Sequence, residues 1–148
     1  MEIYGNKKER GENEVRSGVK SGILYHATFG ANLRGIKEHG LGAKQKKNWD
    51  ISEENVVYLT ADKEVAFDFC ECAEDVCDTV YNSGIVVFAV RIADLDLSKL
   101  KIDGNIHDEV IKSFVYKGII SADKLYVVTR NRVRGKLLEY KRVPRYES

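Results

Sequence analysis

The hydrophobic positions of the chain fall into short runs that are separated by glycine and by polar turns. Three runs stand out: GILYHAT begins at Gly22, NVVYLT at Asn55 and GIVVFAVRI at Gly84. Runs of this length, rich in Ile, Val and Tyr, are typical of buried β-strands. The last run is apolar almost throughout, which indicates a strand that is buried on both faces.

The segment between the first two strands has a helical period. Within residues 31–39, Leu33 and Ile36 are three positions apart, so they share one face of a helix. Gly40 follows at the position where a helix commonly ends on a residue of positive φ. We therefore predict a helix over 31–39.

A second and longer helix is predicted from about Lys63 to Val80. Thr60 or Asp62 can cap its start, and Glu64 lies in the first turn, where the helix dipole favours a negative charge. Its apolar face is predicted from side chains spaced by three or four positions, namely Val65, Phe69, Cys72, Val76 and Val80.

The second half of the chain contains further short strand patterns. They cover Lys99–Ile102, Ser113–Tyr116, Lys124–Thr129 and, as an edge strand, Lys136–Val143. Many short strands and two main helices in the N-terminal half predict a small α+β domain in which two small sheets are packed with helices. We expect residues 1–21 to be a polar lead-in and residues 22–148 to be a single domain.

The composition agrees with one globular domain. The chain has 148 residues, of which 43% are hydrophobic and 32% charged, and this is too apolar for a disordered protein. Its 24 basic and 23 acidic side chains give a formal net charge of +1. A globally basic nucleic-acid-binding protein is thereby excluded, whereas a local basic patch is not.

The sequence also predicts a cytoplasmic protein that does not enter a membrane. No apolar run approaches the ~20 residues that span a bilayer, and residues 1–20 lack the apolar stretch of a secretory signal. The chain has three cysteines, and this odd number indicates reduced thiols rather than a framework of disulfides.

The cysteines follow the pattern C-x-C-x4-C along the second predicted helix, at Cys70, Cys72 and Cys77. A structural zinc site usually needs two close pairs of ligands. Cys70 and Cys77 can share a helix face, but Cys72 points elsewhere. This spacing favours small core residues, and we predict no metal site.

His26 is the histidine whose position is unusual, because it lies inside a hydrophobic strand. His39 lies at the end of a predicted helix, where a cation is favourable, and His107 lies in a polar turn. An imidazole within a buried strand needs hydrogen-bond partners. His26 is either a satisfied core residue or a contact to a ligand, and this residue alone does not decide between them.

Several segments in order resemble the ADP-ribosyltransferase superfamily, in the histidine-first branch of poly-ADP-ribose polymerases and RNA 2′-phosphotransferases. Leu24–Thr28 (LYHAT) resembles the first-strand motif, in which histidine is followed by Gly or Ala and then Ser or Thr. Asn32–Leu41 (NLRGIKEHGL) resembles the pattern N-L-x-x-I-x-x-x-G-L. Val57–Asp62 (VYLTAD) resembles the second motif, of the type V-Y-F-A-D.

The resemblance continues through the helix with Val65–Phe69, the strand Gly84–Ile92 and the closing segment Phe114–Val127. It covers about Gly22 to Thr129 and implies the split two-sheet fold of that superfamily. It also implies that NAD is the co-substrate.

The resemblance implies specific roles at the first strand. His26 would hydrogen-bond the adenosine-side ribose of NAD, with Thr28 beside it. Main-chain groups next to His26, at Ala27, would hold the amide of the nicotinamide.

Aromatic residues would hold the nicotinamide ring. The resemblance places Tyr58 against the ring, with Phe67 or Phe69 closing the slot, and an aromatic face suits a flat cationic ring. The loop Gly42–Asn55 would lie over the dinucleotide. Its lysines either offset the pyrophosphate charge or simply form a solvated charged loop.

The chain departs from the family pattern at one catalytic position. Many transferases of this type have a glutamate at the start of the strand before the closing motif, and Ser113 stands there in this chain. A carboxylate that stabilises a developing positive charge contributes a few kcal/mol, so its replacement matters. The tandem proline of the closing motif is also replaced, by Ser121-Ala122.

Three hypotheses account for Ser113. Asp108 or Glu109 supplies the acid; the reaction needs no glutamate, because it uses a substrate carboxylate or phosphotransferase chemistry; or the domain binds without catalysis. The candidate catalytic set is therefore His26, Tyr58, Glu109 and Ser113.

The segment after Thr129 is basic. It has seven positive side chains against Glu139 and Glu147, at Arg130, Arg132, Arg134, Lys136, Lys141, Arg142 and Arg145. These charges either protect an edge strand from aggregation or form a track for nucleic-acid phosphates or an acidic partner. No clear aromatic platform is interleaved with them, which favours the first interpretation.

The leading functional hypothesis is transfer of ADP-ribose from NAD to a macromolecular acceptor, either a protein or a nucleic acid. The resemblance, together with the small size, implies mono-ADP-ribosylation by a bacterial or phage effector. The alternatives are a non-catalytic binding module or partner-inhibiting effector on the same fold, and an activity like that of RNA 2′-phosphotransferases.

Overall fold

The computed structural model describes residues 22–43, 56–102 and 113–147. Within these ranges the chain forms seven strands: β1 (Ile23–Phe29), β2 (Val56–Thr60), β3 (Ile85–Arg91), β4 (Leu100–Ile102), β5 (Ser113–Lys117), β6 (Tyr126–Thr129) and β7 (Arg132–Lys136). The α-helices are α1 (Leu33–His39), α2 (Lys63–Glu71) and α3 (Asp78–Tyr81). Short 3-10 turns cover 30–32, 92–94, 97–99, 122–124 and 137–139.

The strands form one antiparallel sheet in the order β4-β5-β2-β1-β3-β6-β7. β1 pairs with β3 along its whole length, from Ile23 opposite Arg91 to Phe29 opposite Ile85. In contrast, β1 pairs with β2 only where Tyr25 lies opposite Thr60. The predicted α+β class is confirmed, and the two predicted small sheets are two halves of a sheet that meet at one residue pair.

Each face of the sheet has its own hydrophobic core. On one face, alternate residues such as Leu24, Phe88 and Phe114 are almost fully buried and pack with Ile36 of α1. On the other face, α2 covers the sheet with a smaller cluster of Ala66, Phe67, Val87, Ala89, Val128 and Tyr146. No helix in the described ranges is long and apolar enough to cross a membrane.

The predicted first helix is confirmed, including its glycine end. Gly40 has φ of +90°, and its N–H donates to the Ile36 carbonyl at 2.8 Å. A Cβ at this position would also lie 2.7 Å from the Ile119 side chain. Gly40 is therefore required both by its backbone conformation and by the close approach of the chain around Ile119.

The predicted helix from Lys63 to Val80 is wrong beyond Glu71. The chain leaves the helix at Cys72 and forms only the four-residue α3 afterwards. On a continuing helix, Glu71 and Asp75 would lie four positions apart on one face, and so would Glu74 and Asp78. Like charges at this spacing destabilise a helix.

The apolar face predicted for this helix is also wrong. Phe69 is 63% exposed, whereas Ala66 and Phe67 are the buried residues of α2. The predicted cap is confirmed at Asp62, whose carboxylate accepts from the Glu64 N–H at 2.9 Å.

The edge strand predicted over Lys136–Val143 lies elsewhere. β6 turns back within two residues, so Arg132–Lys136 pairs with it as β7. The chain then leaves the sheet as a 3-10 turn over 137–139, where Leu137 is fully buried and its N–H donates to the Leu125 carbonyl. β6 is paired with β3 on one side and with β7 on the other, so the later segment cannot pair with β6.

Candidate functional site

A cleft opens where β1 and β2 diverge. In the register set by Tyr25 opposite Thr60, Ala27 would lie opposite Tyr58, but no pairing forms there. Instead, the His26 side chain reaches across the gap, and its Nδ1 lies 2.8 Å from the Tyr58 carbonyl oxygen. The imidazole takes the place of a ladder hydrogen bond at the mouth of the split.

The cleft has a volume of about 370 Å³, which is within the range of small-molecule sites. It is bounded by β1, β2, the start of β5 and one side of α2. The described residues that line it are Tyr25, His26, Ala27, Tyr58, Leu59, Thr60, Ala66, Phe69, Cys70, Ser113 and Phe114.

The contact with Tyr58 fixes the tautomer of His26. A carbonyl oxygen only accepts, so Nδ1 is the protonated nitrogen and donates to it. Burial lowers the pKa of His26 below its usual 6.5, and the hydrogen bond to the Tyr58 carbonyl opposes this only in part. At neutral pH the ring is therefore uncharged, and Nε2 is free to accept a hydrogen bond from a ligand hydroxyl.

Two aromatic side chains of the cleft are exposed to an unusual extent. Tyr58 on β2 and Phe69 on α2 are each 63% exposed, although both belong to regular elements of a well-packed domain. Aromatic rings that line a cavity without being buried offer faces for a flat ligand ring. This pair supplies the apolar contact surface of the cleft.

Three polar side chains of the cleft come from neighbouring strands at matching positions. Tyr25 lies opposite Thr60, and Thr60 lies opposite Ser113, so the three share one face of the sheet. Burial and the Asp62 carboxylate raise the pKa of Tyr25. Its hydroxyl therefore stays protonated at neutral pH and can act as a hydrogen-bond donor.

Cys70 is the half-buried cysteine on the α2 side of the cleft, while Cys72 and Cys77 are exposed. Burial raises the pKa of the Cys70 thiol to about 11, so it is a poor nucleophile at neutral pH. Within the three described ranges, no group of three or more His, Cys, Asp and Glu side chains is arranged to hold a metal ion.

α2 is held in place by a contact to the C-terminal segment. The Tyr146 hydroxyl donates to Glu64 at 2.5 Å, and Arg130 Nε lies 3.2 Å from the same carboxylate. The Tyr146 ring is fully buried and stacks on Phe67, with ring centroids 5.0 Å apart. The wall of the cleft that carries Phe69 is thus positioned from the far end of the chain.

The structure brings together five of the predicted site residues and separates others from them. His26, Ala27, Tyr58, Phe69 and Ser113 line the cleft. Glu109, and Asp108 beside it, lie outside the described residues, as does most of the loop that was expected to cover the dinucleotide.

Thr28 and Phe67, which the resemblance also assigned to the site, are not among the lining residues of the cleft. Thr28 is buried on the other face of the sheet, and its hydroxyl accepts from Asn32 Nδ2 at 3.0 Å. Phe67 points into the core against Tyr146, because it is two positions from Phe69 and therefore on another side of α2.

Sequence reasoning missed Tyr25, Thr60 and Cys70 as residues of the cleft. The two-residue period of a strand was the available signal, since Tyr25 shares a face with Ala27 and Thr60 shares one with Tyr58. Cys70 follows Phe69 directly, but it did not belong to the apolar face predicted for this helix.

Among the described residues that line the cleft, none has a carboxylate side chain. The acid that many transferases of the resembled type have is therefore absent from the part of the cleft that the structure describes. Comparisons of the chain with family models, with curated proteins and with solved structures give no match.

Proposed function

We propose that the cleft binds NAD and that the protein transfers ADP-ribose from it to a macromolecular acceptor. The observation that carries the proposal is the His26 imidazole, which is held by the Tyr58 carbonyl at the divergence of β1 and β2. The order of the motifs around His26 and Tyr58 in the sequence supports it independently.

Four of the lining residues have roles in the proposed complex. Nε2 of the neutral His26 accepts a hydrogen bond from a ribose hydroxyl of NAD. Tyr58 and Phe69 contact the nicotinamide ring, which is flat and cationic. Main-chain groups of β1 near Ala27, beyond the single pairing to β2, hydrogen-bond the nicotinamide amide.

The reaction is a substitution at C1′ of the nicotinamide ribose. The glycosidic C–N bond breaks, and its electron pair neutralises the pyridinium, so nicotinamide leaves uncharged. An acceptor nucleophile then bonds to C1′ and loses one proton to solvent or to a base. Positive charge develops on the ribose in between, and a nearby carboxylate stabilises it.

Ser113 lies opposite Thr60 at the edge of the cleft, and its hydroxyl carries no charge to stabilise that ribose. We assign the acid to Glu109, four residues earlier in the chain, with Asp108 as the other candidate. Ser113 then contributes a hydrogen bond to the ribose rather than electrostatic stabilisation.

The test is release of nicotinamide and transfer of label from NAD in a cell lysate. Wild type should release nicotinamide and label a protein or nucleic acid, and His26→Ala should abolish both. His39→Ala is the matched control, because His39 is exposed at the end of α1. Absence of binding and of release in wild type would contradict the proposal.

A second candidate is a nucleotide-binding module without catalysis, which the absence of a carboxylate from the described lining favours. Under this second proposal, NAD or ADP-ribose binds in the cleft and the same variants weaken binding, but no nicotinamide is released.

The three cysteines of the described residues are free, which supports the cytoplasm as the compartment for either function.

A further inference from the structure

A second concave surface lies between α1 and the C-terminal segment. It has a volume of about 480 Å³, and it shares no lining residue with the cleft. We name it the basic groove, and its lining residues are Leu33, Arg34, Lys37, Glu38, Lys141, Arg142, Val143 and Arg145.

Five basic side chains and one carboxylate, that of Glu38, line the basic groove. Glu38 is paired with Arg34 at 3.4 Å, where both side chains are exposed. Lys37 donates to the Tyr140 carbonyl at 2.7 Å. Because that acceptor is neutral, the positive charge of Lys37 is not compensated, and the groove remains strongly positive.

The positive charges are compensated least on the side of the groove that the C-terminal segment forms. Among the described residues, Lys141, Arg142 and Arg145 take part in no ion pair. The ion pairs of the described residues are Arg34–Glu38, His39–Glu38, Arg91–Asp94 and Arg130–Glu64. Uncompensated cations on both sides of a groove attract an anion that runs along it.

The Arg145 side chain lies against two glycines. A Cβ on Gly30 would be 2.8 Å from its guanidinium carbon, and a Cβ on Gly84 would be 2.7 Å from its Nε. Any larger residue at either position would displace the arginine. The ends of β1 and β3 thus leave a slot in which the guanidinium is placed before a ligand arrives.

The backbone on either side of Arg145 is fixed as well. Val143 is buried in the core on the α1 face. Tyr146 is fully buried, and its N–H donates to the Ile85 carbonyl at 2.9 Å. Arg142 and Arg145 therefore project from an anchored segment, which lowers the entropy that is lost when they bind a ligand.

The shape and chemistry of the groove favour a phosphodiester backbone over other anions. A membrane-binding surface presents large apolar side chains for insertion, but the apolar residues of this groove are the partly buried Leu33 and the buried Val143. An acidic protein offers carboxylates at irregular spacing, whereas a nucleic acid offers closely and evenly spaced charges. Guanidinium groups also bind phosphates in a bidentate manner.

We propose that the basic groove between α1 and the C-terminal segment binds the phosphate backbone of a nucleic acid. The groove is separate from the cleft, so this binding does not require NAD or the proposed transferase activity. Recognition of this kind is governed by charge and depends on salt, and it carries little sequence preference.

The experiment measures anisotropy of labelled single-stranded and duplex oligonucleotides over a series of salt concentrations. The double variant Lys141→Ala/Arg142→Ala removes two groove charges from exposed positions. Arg132→Ala/Arg134→Ala removes the same charge from the exposed edge strand β7, outside the groove, and is the matched control.

For wild type, the logarithm of the affinity should fall linearly with the logarithm of the salt concentration. In the groove variant this slope should become less steep by about 0.7 units for single strands, or about 0.9 units for duplex DNA, for each phosphate contact removed, and in the control the slope should not change. Equal losses in both variants, no binding at low salt, or tighter binding to poly-glutamate or to phosphatidylserine vesicles would overturn the proposal. Nicotinamide release without nucleic acid should be the same in wild type and groove variant, so this test fails or succeeds independently of the transferase proposal.

Discussion

His26 Nδ1 lies 2.8 Å from the Tyr58 carbonyl oxygen, across the gap that opens between β1 and β2. One contact thereby joins the two halves of the sheet just beyond their single residue pair. It also selects the tautomer of His26 and leaves Nε2 as an acceptor. The site and the split of the sheet are thus consequences of the same local arrangement.

Binding of NAD should depend on the protonation of His26. The pKa of His26 is lowered below 6.5, so affinity should be constant above that pH and should fall as acidification protonates Nε2. Calorimetric titrations across this pH range measure the effect. His26→Asn, which does not titrate, should bind more weakly and without this pH dependence, and His39→Asn should behave like wild type.

The same lowered pKa has a defined effect on stability. The unfolded chain takes up a proton on this histidine at a higher pH than the folded chain. His26 therefore destabilises the fold as pH falls from about 6.5 through the folded pKa, and it has no effect on stability above that pH.

For the binding prediction, an affinity of wild type for NAD that stays constant through this acid range would contradict the assigned role of Nε2.

Tyr58 should contribute to binding through its ring rather than through its hydroxyl. Because the side chain is 63% exposed, Tyr58→Ala should change the free energy of unfolding by less than about 1 kcal/mol while weakening NAD binding at least tenfold. Tyr58→Phe keeps the ring and should bind NAD nearly as wild type does. Urea denaturation and calorimetry provide the two measurements, and a strong defect in Tyr58→Phe would refute ring contact as the main role.

Ser113 provides a test of the catalytic register. Since it lies opposite Thr60 at the edge of the cleft, a carboxylate placed there should stabilise the developing charge on the ribose. In a Glu109→Gln background, which lacks the assigned acid, Ser113→Glu should raise the rate of nicotinamide release about tenfold or more, and Ser113→Gln, of the same size without charge, should not. Equal rates in the two variants would show that this position does not face the ribose.

Tyr146 should stabilise the protein in a way that is lost at alkaline pH. Its pKa is raised to about 12 by burial and by the hydrogen bond to Glu64, compared with about 10 in the unfolded chain. Its contribution is fully present below pH 10 and is lost as pH rises towards 12.

Tyr146→Phe should lower the free energy of unfolding by about 1–2 kcal/mol at neutral pH, because the Glu64 carboxylate loses a donor. The difference between variant and wild type should shrink between pH 10 and 12, as followed by urea denaturation. A difference that stays constant over this range would mean that the Tyr146 hydroxyl does not titrate with the fold.

The central strands could be predicted because each is an apolar run between turn residues. The buried run at Ile85–Arg91 and the mixed run at Ile23–Phe29 became neighbours along their full length. The end of α2 could not be predicted from spacing, since Val76 and Val80 continue the helical period after the acidic residues have ended the helix. The repulsion between acidic side chains four positions apart opposes the helix there, and the apolar spacing does not record it.

The site could be predicted only in part, for a related reason. Phe67 and Phe69 are equally suitable aromatic residues in the sequence, and the choice between them depends on Tyr146, which stacks on Phe67 from 79 positions away. The basic groove likewise joins Arg34 and Lys37 of α1 to residues more than one hundred positions later. Contacts of such long range leave no periodic signal in the chain.

The most direct test of the account is to follow the imidazole resonances of His26 and His39 by NMR while NAD is added. The His26 signal should shift until NAD saturates the site, the His39 signal should not shift, and free nicotinamide should then accumulate in the same sample. A His26 signal that remains unchanged at saturating NAD, with no nicotinamide released, would contradict both the assignment of the cleft and the proposed reaction.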